Sequence, residues 1–308
     1  MKKRVAITPR TFGRDDEPVR LLRAAGFELV FNPYDRPLNE AEMAELLEEA
    51  DAAIVGLDPV TERVLERASR LKVVSKYGVG LDNIDLEAAR RRGVAVTNTP
   101  GTNSGAVAEL AIGLMLDVAR KISLSDREIR SGIWRRHPGF ELAGKRLGLV
   151  GTGTIGREVA ARIKGFGMEI VCYDKCPDPR WADRAGASYL SLEELFATSD
   201  VVSLHLPLTE ETHHLVSDRL ISLMKPTAIL INTARGGIVD EEALLRALRE
   251  RRIAGAGLDV FEAEPPGASP LCSLENVVLT AHIGAHTREA ILAMGMAAAR
   301  NVIERLQN

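Results

Sequence analysis

Two open α/β domains, each built on a parallel sheet, are what the 308-residue sequence predicts, and three observations predict them. Short β-like apolar runs alternate with helical patterns along the chain. A glycine loop, Gly151-Thr152-Gly153-Thr154-Ile155-Gly156, directly follows one of those runs. A long helical pattern, 287–306, comes after the second set of strands is complete.

Taken in order, strand 5–8 precedes helix 17–25, strand 28–31 precedes helix 39–50, and strand 52–55 precedes helix 61–69. Strand 72–75, helix 85–92 and strand 94–97 follow, ending at Asn98-Thr99-Pro100-Gly101. This βαβα order makes one parallel unit with right-handed crossovers. Asn103 opens a long apolar helix to Lys121, and 127–139 reads as a charged, Trp-containing connection. The second unit has strands at 147–150, 169–173, 200–204, 228–233, 255–258 and 277–279. Its first helix places Ile155, Val159, Ile163 and Phe166 at helical spacing, closed by Gly165 and Gly167. The last helix needs a partner face and is expected to return to the first domain. That makes the expected domains 1–98 with 286–308, and 99–285.

Composition narrows the function classes. Hydrophobic content of 45% supports a large core, and a net charge of −3 with interspersed acids and bases leaves no basic face for nucleic acid. Arg90-Arg91-Arg92 reads as a solvated helix end favoured by the dipole. Cys172, Cys176 and Cys272 are odd in number and lack metal-ligand spacing, so neither a disulfide framework nor a metal site is expected. The basic start is followed by too short an apolar run for a signal peptide, and helix 106–119 carries Glu109 and Asp117 and is too short to span a bilayer. A cytoplasmic enzyme is the expectation.

The glycine loop carries the first chemical reading. Gly151 permits the tight turn, Gly153 lets a pyrophosphate approach the backbone, and Gly156 lets helix and strand pack closely. The phosphates would rest on Thr154, Ile155 and the helix N-terminus. Asp174 stands 18 residues past Gly156, at the end of the next strand, where it can accept hydrogen bonds from the adenosine ribose. Its charge disfavours a 2′-phosphate, so NAD is the expected cofactor rather than NADP.

Four further clusters lie at strand ends, where open α/β sheets place ligands: 77–80, 233–237, 259–265 and 282–284. Within them Arg235, Glu264 and His282 are candidate catalytic residues. An Arg fork suits a carboxylate, and each residue taken alone has a bland reading as a salt bridge, loop solvation or a structural histidine. A charge set beside a dinucleotide loop makes three independent bland readings a poor account.

These residues carry a resemblance. The segments 74–85, 98–101, the glycine loop, 205–209, 232–240, 258–265 and 281–287 together resemble the D-isomer-specific 2-hydroxyacid dehydrogenases over nearly the whole chain, and within them the phosphoglycerate dehydrogenases most. The resemblance implies two Rossmann-like doubly wound domains with the active-site cleft between them, the first substrate-binding and the second NAD-binding. It implies catalytic roles for Arg235, Glu264 and His282. It puts Thr233, Ala234, Arg235, Asp259, His282 and Gly284 beside the cofactor, with Asp259 on the nicotinamide carboxamide, and adds His205, Pro207 and Thr212 to the cofactor-lining set. The ring of His205, with His137, His213 and His214, reads as structural or solvent-facing. Lys76, Tyr77, Gly78, Val79, Gly80, Asn103 and Arg235 become the substrate-binding set, with backbone N–H groups of 78–80 meeting the substrate carboxylate. Residues 103–121 and Trp134 offer more apolar surface than one domain needs and match the dimer contact of relatives, so a homodimer is expected.

Reducing a 2-keto acid takes a hydride from NADH and a proton for the carbonyl oxygen, so a general acid must lie within hydrogen-bond reach. His282 suits that task, with Glu264 favouring its protonated ring and fixing the tautomer. Arg235 suits the substrate carboxylate and the growing negative charge on the keto oxygen. Relatives that oxidise formate carry Gln at the position of Glu264, so Glu points to alcohol and ketone chemistry. The expected substrate pair is 3-phosphoglycerate and 3-phosphohydroxypyruvate, in serine biosynthesis. Two departures weigh against it: Val55-Gly56-Leu57 stands where those enzymes often carry a phosphate-binding Arg, leaving Lys76 as the nearby cation, with Trp134-Arg135-Arg136 a second candidate source; and the chain stops at Asn308, so C-terminal regulatory domains are not expected. The alternatives are a glyoxylate, hydroxypyruvate or other D-2-hydroxyacid reductase, a phosphite dehydrogenase using Lys76, and an NADH-sensing protein similar to the related co-repressors.

Overall fold

The structure, a computed structural model, describes residues 2–13 and 16–307. Met1 and Asn308, the outer limits of the expected first domain, lie outside the described residues. The chain divides into two compact units, Met1–Asn103 with Ala285–Asn308, and Ser104–Gly284.

In the first unit β1 (Arg4–Ile7), β2 (Glu28–Phe31), β3 (Ala52–Val55), β4 (Val73–Lys76) and β5 (Ala95–Thr97) form a parallel sheet in the order β2-β1-β3-β4-β5. The central strand β3 is Ala-Ala-Ile-Val and wholly buried, the continuous apolar run of a strand covered on both faces. Helices α1 (Asp16–Ala24), α2 (Glu40–Leu47), α3 (Glu62–Arg67) and α4 (Leu86–Arg91) make the crossovers. Their starts are written in the sequence: Asn39 and Glu42 form a reciprocal capping box on α2, and Asp85 accepts the Ala88 N–H to open α4. Arg90, Arg91 and Arg92 at the end of α4 reach Glu87, Glu62 and Glu66.

The second unit opens with α5 (Ser104–Arg120) and α6 (Ile122–Arg130). Its seven parallel strands are β6 (Arg146–Val150), β7 (Glu169–Tyr173), β8 (Ala187–Tyr189), β9 (Val201–Leu204), β10 (Ile229–Asn232), β11 (Gly255–Leu258) and β12 (Val277–Leu279). The order β12-β11-β10-β9-β6-β7-β8 reverses direction between β6 and β9, so the glycine loop after β6 emerges at the topological switch point. Helices α7 (Thr154–Ile163), α8 (Pro179–Ala185), α9 (Leu192–Thr198), α10 (Asp218–Ile221) and α11 (Glu241–Arg249) connect the strands. The last helix, α12 (Arg288–Gln307), packs on α1, β3 and β4 of the first unit, burying Ala298, Ala299 and Val302 with Val5, Ile7 and Ile54.

Four local readings are corrected. The strand β8 goes unread because Ala-Ser-Tyr is too short and too polar to register as an apolar run. The segment expected to be a connection from residue 127 begins inside a helix: Lys121, in the left-handed region at φ 55, breaks the chain between α5 and α6, and α6 runs on to Arg130. Phe166 is not on the apolar face of α7, because α7 ends at Ile163 and Phe166 lies in a 3-10 turn at the surface. The apolar surface of α5 is consumed within its own unit, where Val107, Ala108, Ala111, Leu114 and Met115 are buried and the helix packs on α7, β10 and β11. The apolar surface that stays exposed belongs instead to Ile122, Ile129, Ile133 and Trp134, the last 82% exposed. Among the described residues, no helix is long and apolar enough to cross a membrane.

Candidate active site

The glycine loop joins β6 to α7. Gly151 sits at φ 100, and a Cβ there would fall 2.6 Å from the His205 carbonyl oxygen; a Cβ on Gly156 would fall 2.1 Å from the Gly151 oxygen. Both positions exclude any side chain. A Cβ on Gly153 would meet no protein atom within 4 Å, which is the opening a pyrophosphate needs. Gly153 is also the N-cap of α7 and offers no side-chain cap, so the first N–H groups of the helix, near Thr154 and Ile155, are left for an anion. Asp174 is tied to the mouth of the loop: one carboxylate oxygen accepts the Thr152 N–H at 2.7 Å and the Thr152 hydroxyl at 3.1 Å, and the other accepts the Cys176 N–H at 2.9 Å.

Around this loop, His205 ends β9 with Nε2 at 2.9 Å from the Ser203 hydroxyl, and burial pushes its imidazole down to about 4. A ring held neutral in that way is a packing element beside the loop. Thr212 donates to the Pro207 carbonyl at 2.7 Å and accepts the Thr209 N–H, which folds 207–212 into a tight turn.

After β10, the Asn232 side chain accepts the Ala234 N–H and donates to the Arg235 carbonyl, so one amide shapes the turn that presents Arg235. The Arg235 Nη1 donates to the Ala234 carbonyl at 2.7 Å. Gly236 lets the loop after β11 approach: a Cβ there would lie 1.9 Å from the Phe261 carbonyl carbon and 2.4 Å from the Glu262 nitrogen. The two loops therefore touch backbone to backbone. Thr233 Oγ1 is buried with no hydrogen-bond partner, the kind of orphan that a bound polar ligand satisfies.

Glu264 and His282 meet on this face. The Glu264 Oε2 lies 2.7 Å from His282 Nδ1, both side chains are half-buried, and the other Glu264 oxygen accepts the Phe261 N–H. Burial raises the Glu264 carboxyl, but the hydrogen bond and charge of His282, the Phe261 N–H and the charge of Arg235 outweigh it and hold the group below its ordinary value. An ionised carboxylate on Nδ1 fixes that nitrogen as a donor and leaves Nε2 to face a substrate. Asp259, one residue past β11, is 1% exposed and accepts from Thr280, Ile283 and Gly284 rather than from solvent.

The remaining expected site residues lie in the first unit. Lys76 is 4% exposed at the end of β4, and its ammonium donates to the Gly56 carbonyl at 2.6 Å and to Asn83 Oδ1. The Tyr77 hydroxyl donates to the Ile291 carbonyl, fastening β4 to α12. The Gly78 N–H donates to the Thr99 hydroxyl at 3.0 Å. Asn103 Oδ1, like Thr233 Oγ1, is buried and unpartnered. Sequence reading passed over Thr152, Ser203, Asn232 and Thr280, whose common signal is a short polar side chain within two residues of a strand end.

A dinucleotide loop set in one unit with a histidine–carboxylate pair and an arginine is the equipment of a nicotinamide-dependent oxidoreductase. The open Gly153 and the orphaned Thr233 hydroxyl fit such a cofactor. Comparison with known proteins narrows the class. The family model for the D-isomer-specific 2-hydroxyacid dehydrogenase NAD-binding domain matches residues 112–284. The glyoxylate reductase of Thermococcus litoralis is 48% identical over 271 residues, 85% of this chain and 82% of that one. The D-3-phosphoglycerate dehydrogenase of Methanocaldococcus jannaschii is 44% identical over 269 residues, 86% of this chain and 51% of its own. Among solved structures, the TT0316 protein from Thermus thermophilus superposes with a TM-score of 0.90 at 42% identity, covering 99% of this chain and 97% of that one. The chain belongs to the D-isomer-specific 2-hydroxyacid dehydrogenases, and NAD is its cofactor.

Proposed function

We propose that the enzyme reduces a short, unphosphorylated 2-keto acid, glyoxylate or hydroxypyruvate, to the D-2-hydroxy acid. The observation that carries the chemistry is the Glu264–His282 contact of 2.7 Å beside Arg235. When bound, NADH supplies the hydride to the keto carbon. His282 gives its Nε2 proton to the carbonyl oxygen, and Glu264 stabilises the charged ring before the transfer. Arg235 holds the carboxylate and the oxygen on which charge grows. The second unit holds the dinucleotide.

The substrate reading rests on the end of β3 and β4. A phosphate tail needs cations, yet Lys76 is buried among Gly56 and Asn83, and the neighbouring Leu57 exposes 52% of an aliphatic residue where an Arg would serve a phosphate. The glyoxylate reductase relatives favour the same reading. The test is a panel of 2-keto acids with NADH and NADPH. Glyoxylate or hydroxypyruvate is expected to give the higher kcat/KM; a preference for 3-phosphohydroxypyruvate returns the assignment to phosphoglycerate oxidation. NADH is expected to exceed NADPH, because Asp174 repels a 2′-phosphate, and Asp174→Ala is expected to narrow that ratio by about tenfold, the worth of one charge-assisted contact.

The exposed Ile122, Ile129, Ile133 and Trp134 support a homodimer formed through α6, read by light scattering at micromolar concentration. Three unpaired cysteines, two of them exposed, support a reducing compartment such as the cytoplasm.

A further inference from the structure

We propose that Tyr189 and Thr152 are positioning residues that set the Asp174 carboxylate for the adenosine ribose and so fix the preference for NADH over NADPH. The inference rests on the reading of Asp174 as the ribose acceptor. Asp174 directly follows β7, and Tyr189 ends the neighbouring strand β8. Thr152, 3% exposed in the glycine loop after β6, bridges the two. Its hydroxyl donates to Asp174 Oδ2 at 3.1 Å and lies 2.9 Å from the Tyr189 hydroxyl.

Proton counting gives these contacts a direction. An ionised carboxylate only accepts, so the single Thr152 hydroxyl proton goes to Asp174. Tyr189 is then the donor to Thr152 Oγ1, and its own oxygen accepts the Asp178 N–H at 3.0 Å. Asp178, Tyr189, Thr152 and Asp174 thus form one series in which every donor points toward the carboxylate, and each bond polarises the next. Arg157 holds the far end, donating from Nε to the Thr152 carbonyl at 2.8 Å and from Nη2 to Asp178 at 3.0 Å. On Asp174 itself, Oδ2 accepts the Thr152 N–H and hydroxyl, whereas Oδ1 accepts the Cys176 N–H alone. A carboxylate offers about four lone-pair sites, so Oδ1 keeps one for a ribose hydroxyl, the donor that a 2′-phosphate replaces with negative charge. The hydroxyl series holds Oδ2 to the loop, and that leaves Oδ1 as the oxygen that reads the ribose.

Thr152→Val and Tyr189→Phe each remove a hydroxyl and change little volume. Thr152→Val is expected to raise the Kd for NADH, followed by nicotinamide fluorescence, about 3- to 10-fold, while the Kd for NADPH does not rise. Tyr189→Phe is expected to give a smaller rise of about 2- to 5-fold, because the Thr152 donor survives. Thr152→Ser, which keeps the hydroxyl, is expected to bind NADH as wild type does. In an Asp174→Ala background neither Thr152→Val nor Tyr189→Phe is expected to raise the Kd further, since no carboxylate is left to set. Equal loss for both cofactors, or the same loss with and without Asp174, makes the hydroxyls ordinary packing of the loop and overturns the proposal. An unchanged Kd for NADH in both variants does the same. Tyr189→Phe carries the test alone if Thr152→Val does not fold. Asp174→Ala separates the two levels: a wild-type ratio of NADH to NADPH affinity in that variant faults the ribose reading and the proposal with it. A ratio narrowed by Asp174→Ala but untouched by the hydroxyl variants overturns the proposal alone.

Discussion

Lys76 and Asp259 stand at the ends of parallel strands in different units, and both are charged residues that family resemblance places on a ligand. Both are almost wholly buried, and both spend their charge on the protein. Lys76 donates to a backbone carbonyl and an amide, and Asp259 accepts two backbone N–H groups and a hydroxyl. His282, Glu264 and Asp174 differ in exposure: each keeps part of its surface open. Charges at a sheet's carboxyl edge therefore differ in burial rather than in hydrogen bonding, since Asp174 also accepts three hydrogen bonds. The buried ones brace loops, and the half-open ones leave part of their surface accessible.

The comparison breaks or sharpens under substitution. The largest effect is expected from an open charge: His282→Ala should lower kcat about 10² to 10⁴-fold with NADH binding kept, as stopped-flow and fluorescence titration will read. A loss of NADH affinity in proportion would put His282 among the structural charges. Next comes Lys76→Met, which takes the ammonium donor from the Asn83 side-chain oxygen and leaves the Gly56 carbonyl with the Asn83 amide alone. It is expected to cost roughly 1 to 3 kcal/mol in urea unfolding and to lower kcat/KM for hydroxypyruvate and its phosphorylated form by the same factor. Selective damage to the phosphorylated substrate would move Lys76 across the divide.

The smallest effect is a displacement along the pH axis. Glu264→Gln removes the negative partner of the imidazole, so the alkaline limb of keto-acid reduction is expected to move to lower pH. The same variant tests stability with a defined sign. The Glu264 carboxyl is held below its ordinary value in the folded chain, so its contribution is present above the unfolded carboxyl's range and lost as pH falls through the folded one. Wild type and Glu264→Gln should thus differ in Tm at neutral pH and converge in acid. An unmoved alkaline limb removes Glu264 from proton transfer.

What the sequence disclosed follows from how locally each feature is encoded. The β6–loop–α7 segment is legible because turn, approach and packing each demand glycine at a set spacing, and Asp174 follows on the next strand. Strands such as β3 and β10 are legible as unbroken apolar runs. The Lys121 break and the helix after it are not, since a left-handed Lys leaves no compositional mark. Nor is the state of a charge at a strand end: Lys76 and Asp259 need Asn83 and Thr280, distant in sequence or across a loop, before their burial is known. Resemblance supplied the names of the site residues, while packing shows how far each is buried and which loop it braces.

Gly236 has a consequence in the language of mutational drift. Its missing side chain is the space through which the Arg235 turn and the Glu264 loop touch, and even alanine would press a carbon into the Phe261 carbonyl. No small intermediate residue exists through which the position could wander. Gly237, its neighbour, is different, because an added Cβ would meet only the tips of Leu208 and the ring of His213 at 3.4 to 3.6 Å, and those can give way. Two adjacent glycines that look alike in the sequence thus have opposite evolutionary freedom. One is a lock whose change must be matched by a simultaneous shift of the opposing loop; the other is a place where lineages can diverge one substitution at a time.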